Sequence, residues 1–85
     1  MNDKESLVVV VNGAPTVVAY HGNPTLLDLV TRALDQTQNS GQPVESWELR
    51  TRDGVALQDL SVHVKKLDLA DNEELFLNLR AGIGG

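Results

Sequence analysis

The sequence has no cysteine and no long apolar run, and it contains one tryptophan, one tyrosine and one phenylalanine. Without cysteine, disulfides, thiolate zinc sites and cysteine nucleophiles are excluded, and a reducing compartment is favoured. The longest apolar stretch, Leu7 to Val11, is far too short for a membrane span, and the first five residues carry acids, unlike a signal peptide. We therefore expect a cytoplasmic protein with no membrane partner.

Basic residues are also scarce. Seven lysines and arginines oppose twelve acidic residues, giving a net charge of −5. This charge repels phosphate groups, so nucleic acid is excluded as a partner. The 85 residues, of which 41% are apolar and 22% charged, suffice for one domain with a modest core and for no separate catalytic module.

Recognisable catalytic and metal-binding patterns are missing as well. Neither His21 nor His63 has a serine or paired carboxylates at a motif spacing. The acidic residues between 68 and 74 lack the spacing and central glycine of a calcium loop, and residues 82–85 precede no helix that could complete a phosphate loop. The sequence therefore predicts no enzymatic activity, no catalytic residue, no metal and no cofactor.

The N-terminal part is typical of a β-hairpin. Residues 1–5 are polar, and we expect a disordered N-terminus there. The β-branched residues of 6–12 and 16–20 predict two strands, and Gly13-Ala14-Pro15 predicts the turn between them.

One amphipathic helix is predicted from about residue 25 to 38. Either Asn23 or Thr25 can cap its N-terminus, and Asn39-Ser40-Gly41 offers a left-handed C-terminal cap before Pro43. Its apolar residues recur at spacings of three and four, and they are Leu26, Leu27, Val30, Ala33 and Leu34.

The second half of the chain predicts another hairpin and a final strand. Residues 47–51 alternate apolar and polar, Asp53-Gly54 is a tight-turn dipeptide, and 55–57 reads as a short partner strand. Residues 59–72 have no clean period, so we expect a loop with a short helical turn. Residues 73–80 alternate again and form the last strand.

These elements predict an α+β fold of the β-grasp type, with the order ββαββ(turn)β. One helix packs on a mixed five-stranded sheet, and the first and last strands lie parallel at its centre. We assign residues 6–80 to this domain and 81–85 to a flexible glycine-rich tail.

Specific residues extend this reading to a family. The helix-ending Gly41-Gln42-Pro43, Leu49 at a fixed interval after it, and the alternating strand 75–80 ending in arginine resemble ubiquitin and its relatives, as does the Gly84-Gly85 ending. The resemblance covers nearly the whole chain. It is closest to the short bacterial ubiquitin-like modifiers that accompany activating, conjugating and deconjugating enzymes, some of them in anti-phage defence systems.

The resemblance implies a protein modifier. Gly85, with Gly84, would be the conjugation site, and Arg80, Gly82 and Ile83 would be read when enzymes recognise the tail. The implied partners are an activating enzyme, which uses ATP and Mg²⁺, a conjugating enzyme, a deconjugating peptidase and a target protein.

Two departures from ubiquitin limit what is implied. Arg50 and Asn78 stand where ubiquitin has apolar residues of its receptor-binding patch, so typical ubiquitin receptors should not bind. Only Lys4, Lys65 and Lys66 could accept a second modifier, which disfavours chains through internal lysines.

Two other functions remain open at this point. A sulfur carrier shares the fold and the Gly-Gly ending, and would use Gly85 as a thiocarboxylate. A non-covalent assembly or adaptor domain would not need the tail.

Finally, alternation predicts an apolar patch on the sheet face that the helix leaves uncovered. If Leu7, Val9 and Val11 face the helix, Val8, Val10 and Phe76 face the other way. We expect Val18 or Tyr20 to extend this patch, which would serve a dedicated partner or a homo-oligomer.

Overall fold

A mixed β-sheet with one helix on one face forms the part of the chain that the computed structural model describes, residues 4–80. Within that range the sheet has four strands in the order β2-β1-β4-β3, with β1 and β4 parallel at the centre and the outer pairs antiparallel. This confirms the α+β architecture and the central parallel pair. The elements are β1 (Lys4–Val11), β2 (Ala14–His21), α1 (Leu26–Gln36), β3 (Trp47–Thr51) and β4 (Glu74–Leu79), with 3-10 turns at Val44–Ser46 and Val64–Leu67.

The expected fifth strand at 55–57 is wrong. Ala56 makes only an isolated bridge to Arg50, with hydrogen bonds from Thr51 N to Val55 O (2.9 Å) and from Leu57 N to Leu49 O (2.8 Å). The chain then leaves the sheet because Leu57 and Leu60 turn inward and pack against the core. Residues 55–57 are too few both to form a continuous β-ladder with β3 and to bury Leu57 in the core.

The N-terminal hairpin turns one residue earlier than predicted. Asn12 and Gly13 both have positive φ, 49° and 86°, and form a two-residue turn closed by the pair Val11↔Ala14. Such turns match the twist of the flanking strands. The longer β2 pairs back to Lys4, so β1 begins two residues before the predicted strand, inside the segment expected to be disordered.

The N-terminus of α1 is capped by Thr25. Its Oγ1 accepts a hydrogen bond from Asp28 N, and Asp28 Oδ2 accepts one from Thr25 N, both at 3.2 Å. This capping box satisfies amides that the first helical turn leaves free. Asn23, the alternative cap, instead accepts from Lys65 N at 2.9 Å and fastens the loop before β4 to the helix start.

The helix ends earlier than the sequence predicts. Its last residue is Gln36, and Gln38 takes the left-handed conformation (φ 61°) that was expected at residues 39–41. Asn39 N donates to Leu34 O at 2.7 Å and closes the end. The predicted short helical turn within 59–72 is confirmed at Val64–Leu67.

The core lies between α1 and one face of the sheet. Leu27, predicted in the buried stripe, is 44% exposed, and Leu29 takes its place because the spacing 26, 29, 30, 33, 34 keeps one face. The buried apolar residues are Leu7, Val9, Val11, Val18, Tyr20, Leu26, Leu29, Val30, Ala33, Leu34, Trp47, Leu49, Val64, Leu75 and Leu77.

No helix within residues 4–80 has the length and apolarity needed to cross a membrane.

Candidate functional site

The base of the tail is fixed to the body of the domain. After β4 ends at Leu79, Arg80 N donates to Ser46 O and Arg80 Nε donates to Glu45 O, both at 2.9 Å. Arg80 is exposed. The chain therefore leaves the sheet from a defined position, and the predicted recognition arginine stands at that exit.

The remaining tail predictions lie outside the described residues. They concern Gly82 and Ile83, expected to be recognised by enzymes, and Gly84 and Gly85, expected to be conjugated.

A cavity of about 240 Å³, called here the edge cavity, lies beside this exit. Trp47 lines it and is 3% exposed, and its indole Nε1 has no hydrogen-bond acceptor among residues 4–80. No sequence motif marks Trp47 as functional, and its only signal is that it is the single tryptophan, at the start of an alternating strand. The walls are formed by Leu27, Val30, Val44, Glu45, Trp47, Glu48, Leu49, Ala56, Leu57, Gln58, Leu60, Leu77 and Arg80.

The sheet face opposite α1, called the open face, carries the predicted patch. Val8, Val10 and Phe76 are all partly exposed there, and Val10 pairs directly with Phe76 across the parallel strands. Val17 of β2 pairs with Val8 and is 58% exposed. These four residues define the open-face patch.

The predicted extension through Val18 and Tyr20 is wrong. Val18 pairs with Leu7, which faces the helix. Val18 is 0% exposed and Tyr20 is 7% exposed, so both belong to the core. Burial, followed by the neighbouring carboxylate of Glu5, raises the pKa of the Tyr20 phenol above its ordinary value. The two-residue turn sets this parity, because a shift of one residue exchanges the faces of a strand.

Charged and polar residues border the open-face patch on its β3 side. Arg50 pairs with Phe76, and its guanidinium contacts Glu48 Oε2 at 2.9 Å and Gly54 O at 2.6 Å. Asn78 pairs with Glu48. The two positions that differ from ubiquitin thus make this half of the open face polar, and the apolar area is shifted towards β1 and β2.

The acidic residues between 68 and 74 have local structural contacts. Asp71 Oδ1 accepts from Ser6 N at 3.1 Å, and Glu73 Oε1 accepts from Ala70 N at 3.0 Å. The Asp71 carboxylate holds the turn that leads into β4 against β1, and the Glu73 carboxylate closes that turn on itself.

Comparison with sequence families and curated proteins identifies one family and one similar protein. The family described as "Protein of Unknown function (DUF2604)" matches residues 2–85. "Uncharacterized protein y4jI" of Sinorhizobium fredii is 40% identical over 82 residues, which cover 96% of this chain. The chain spans 62% of the length of that relative.

Solved structures show the fold. A ubiquitin from Caldiarchaeum subterraneum superposes with a TM-score of 0.74 at 21% identity, covering 96% of this chain and 99% of that one. The C-terminal ubiquitin-like domain of human 2'-5'-oligoadenylate synthetase-like protein gives 0.75 at 24% identity, covering 99% and 92%. Sheet order, helix placement and these likenesses agree that the chain has the ubiquitin-like β-grasp fold. Because the family model matches residues 2–85, the chain belongs to the DUF2604 family.

Proposed function

We propose that this chain is a ubiquitin-like protein modifier that is conjugated through Gly85. The observation that carries the proposal is the ubiquitin-like fold in which the central strand β4 leads, through Arg80, directly into Ala81-Gly82-Ile83-Gly84-Gly85. Other proteins would then recognise the folded domain, and the chemistry would take place on the tail in their active sites.

The reaction sequence activates the carboxyl group of Gly85 once and then exchanges the leaving group on its acyl carbon three times. A carboxylate oxygen of Gly85 attacks the α-phosphate of ATP, and pyrophosphate leaves. A cysteine thiolate of the activating enzyme attacks the acyl carbon and releases AMP. After transfer to the conjugating enzyme, an amine or hydroxyl of the target attacks the thioester and the thiolate leaves.

Glycine suits each of these steps. Without a Cβ it passes through narrow channels, and its acyl carbon is open to attack. The mechanism needs a free carboxylate on Gly85, supplied either by translation or by a peptidase that cuts after Gly85. Arg80 has a permanent charge at the fixed base of the tail, where an acidic enzyme surface can bind it.

A tryptic remnant tests conjugation in cells. Because trypsin cuts after Arg80, a target lysine joined to Gly85 keeps the branch Ala-Gly-Ile-Gly-Gly. We expect mass spectrometry to find this branch on proteins that co-purify under denaturing conditions with an N-terminally tagged chain in its source organism. The same tagged chain without Gly84 and Gly85 is the control and should give no branched peptides.

Two results would contradict conjugation. In the first, no branched or ester-linked peptides are found, and the purified chain carries sulfur in place of one carboxyl oxygen of Gly85. The protein would then be a sulfur carrier. Absence of both, with full function of the chain that lacks Gly84 and Gly85, would assign a non-covalent adaptor.

We also propose that the open-face patch mediates self-association of the domain. Within residues 4–80 no helix covers Val8, Val10, Val17 and Phe76, and contiguous apolar surface around an aromatic residue is typical of interfaces. A second copy related by a twofold axis would place the same apolar patch against this one, so that both patches are buried together.

The double variant Phe76→Asp with Val10→Lys should therefore lower the mass measured by light scattering at high concentration towards that of a single chain. Circular dichroism should not change, because both side chains lie outside the core. Val55→Asp is the matched control, since Val55 is 59% exposed and lies outside the patch. A wild-type chain that is monomeric at the same concentration would make the patch a purely structural feature.

A further inference from the structure

Part of the outer edge of β3 is open. Its second half is covered by residues 55–57, through the bonds between Thr51 and Val55 and between Leu49 and Leu57. Beside Trp47 and Glu48, no other strand of residues 4–80 lies on that side. The edge cavity lies between β3 and α1, and Trp47 and Glu48 both line it.

The edge cavity has the chemistry of a site for an apolar side chain with an attached carbonyl. Its walls are largely aliphatic, and Leu27, Val30 and Leu60 line it together with Trp47. The Trp47 Nε1–H is a buried donor without an acceptor in the described part of the chain. Leaving such a donor unpaired is unfavourable, so an occupant that brings a carbonyl oxygen is favoured over a purely apolar one.

The nearest segment with these properties is the tail of the same chain. Arg80 borders the edge cavity, and Ile83 follows three residues later, within a reach of about 10 Å. Ile83 is the one large apolar residue of 81–85, and Gly82 permits the reversal that the return path requires.

We propose that Ile83 docks into the edge cavity and that a carbonyl of residues 81–83 accepts the hydrogen bond of Trp47 Nε1. A docked tail would hold Gly85 against the domain, whereas an enzyme channel needs it extended, so the two states exclude each other. Docking would then lower the apparent affinity of any enzyme for the tail by the docked fraction. The inference does not depend on the activation of Gly85.

Trp47 is the only tryptophan, so its indole N–H gives a single signal in a ¹H–¹⁵N correlation spectrum. The experiment compares the full chain with Ile83→Ser and with a chain that ends at Arg80. We expect the indole signal to shift in both variants and its exchange with water to become at least several-fold faster. Ala81→Ser is the matched control in the same segment and should leave the signal unchanged.

Nuclear Overhauser contacts between the Ile83 methyl groups and the Trp47 ring should appear in the full chain. Identical indole shifts and exchange rates in the full chain, Ile83→Ser and the shortened chain would overturn the proposal. A difference that grows with protein concentration would also overturn it, since the tail of a second copy would then be the occupant.

Discussion

Removing Gly84 and Gly85 is expected to abolish thioester formation with the activating enzyme of the source organism, while the unfolding free energy stays the same. The shortened chain ends on Ile83, whose β-branched side chain crowds the carboxylate that must attack ATP. The core residues lie between Leu7 and Leu77, so the deletion removes no core contact. The measurement is a reducible adduct on a non-reducing gel in the presence of ATP and Mg²⁺.

Two companion variants sharpen this assay. One extra residue after Gly85 should block the adduct as completely as the deletion, because the reactive carboxylate moves off the glycine. Arg80→Glu should slow activation by the loss of one charge-assisted contact, about 1.5–3 kcal/mol. Arg80 is exposed and its side chain makes one bond, to Glu45 O, so stability should change little. An undiminished adduct in the shortened chain would rule out Gly85 as the reactive residue.

The largest effect on stability is expected from Leu75→Ala, which should lower the unfolding free energy by about 3–5 kcal/mol. Leu75 is 1% exposed and lies in the central strand β4, between Val9 of β1 and Thr51 of β3. Strands on both sides restrict collapse around the missing atoms, so the cavity should persist. A domain of this size has about 4–13 kcal/mol in total, so this single change should remove a large fraction of its stability.

Urea denaturation followed by circular dichroism measures this loss as a lower midpoint with an unchanged slope. Val17→Ala is the matched control, because Val17 is 58% exposed on an edge strand and its truncation should cost less than about 0.5 kcal/mol. Equal losses of unfolding free energy in the two variants would show that the buried position of Leu75 in the central strand does not determine its contribution to stability.

The strands and the helix were largely predictable from their apolar patterns. In β4, Leu75, Leu77 and Leu79 alternate with Asn78 and Arg80, which indicates the core face of that strand. Residues 7–11 of β1 are apolar throughout, so their composition predicts a strand but does not decide whether Leu7, Val9 and Val11 or Val8 and Val10 face the core.

The second strand shows where pattern reasoning fails. Val17 and Val18 are adjacent, so either parity places one valine in the core, and the turn alone decides which. The predicted turn, Gly13-Ala14-Pro15, has three residues, although Asn12-Gly13 is the stronger signal and forms the two-residue turn of the structure. A three-residue turn would pair Val18 with Val10 and Tyr20 with Val8 on the open face, whereas the two-residue turn pairs Val17 with Val8 there.

Tertiary packing decided the features that no local signal carried. Residues 55–57 have strand composition, but the inward turn of Leu57 and Leu60 leaves only the bridge at Ala56. The edge cavity combines side chains from α1, β3 and the loop after β3, which are far apart along the chain. The unpaired Trp47 Nε1 is a property of that assembly and appears in no sequence motif.

The parallel pairing of β1 with β4 also determines how the domain should respond to mechanical force. β1 starts at Lys4 and β4 ends at Leu79, and these two ends lie at opposite ends of the parallel pair. Tension applied between them slides one strand along the other, so all the hydrogen bonds of the pair share the load and must break together. A machine that grips the tail while the N-terminal side is held would therefore meet its highest resistance at the first step.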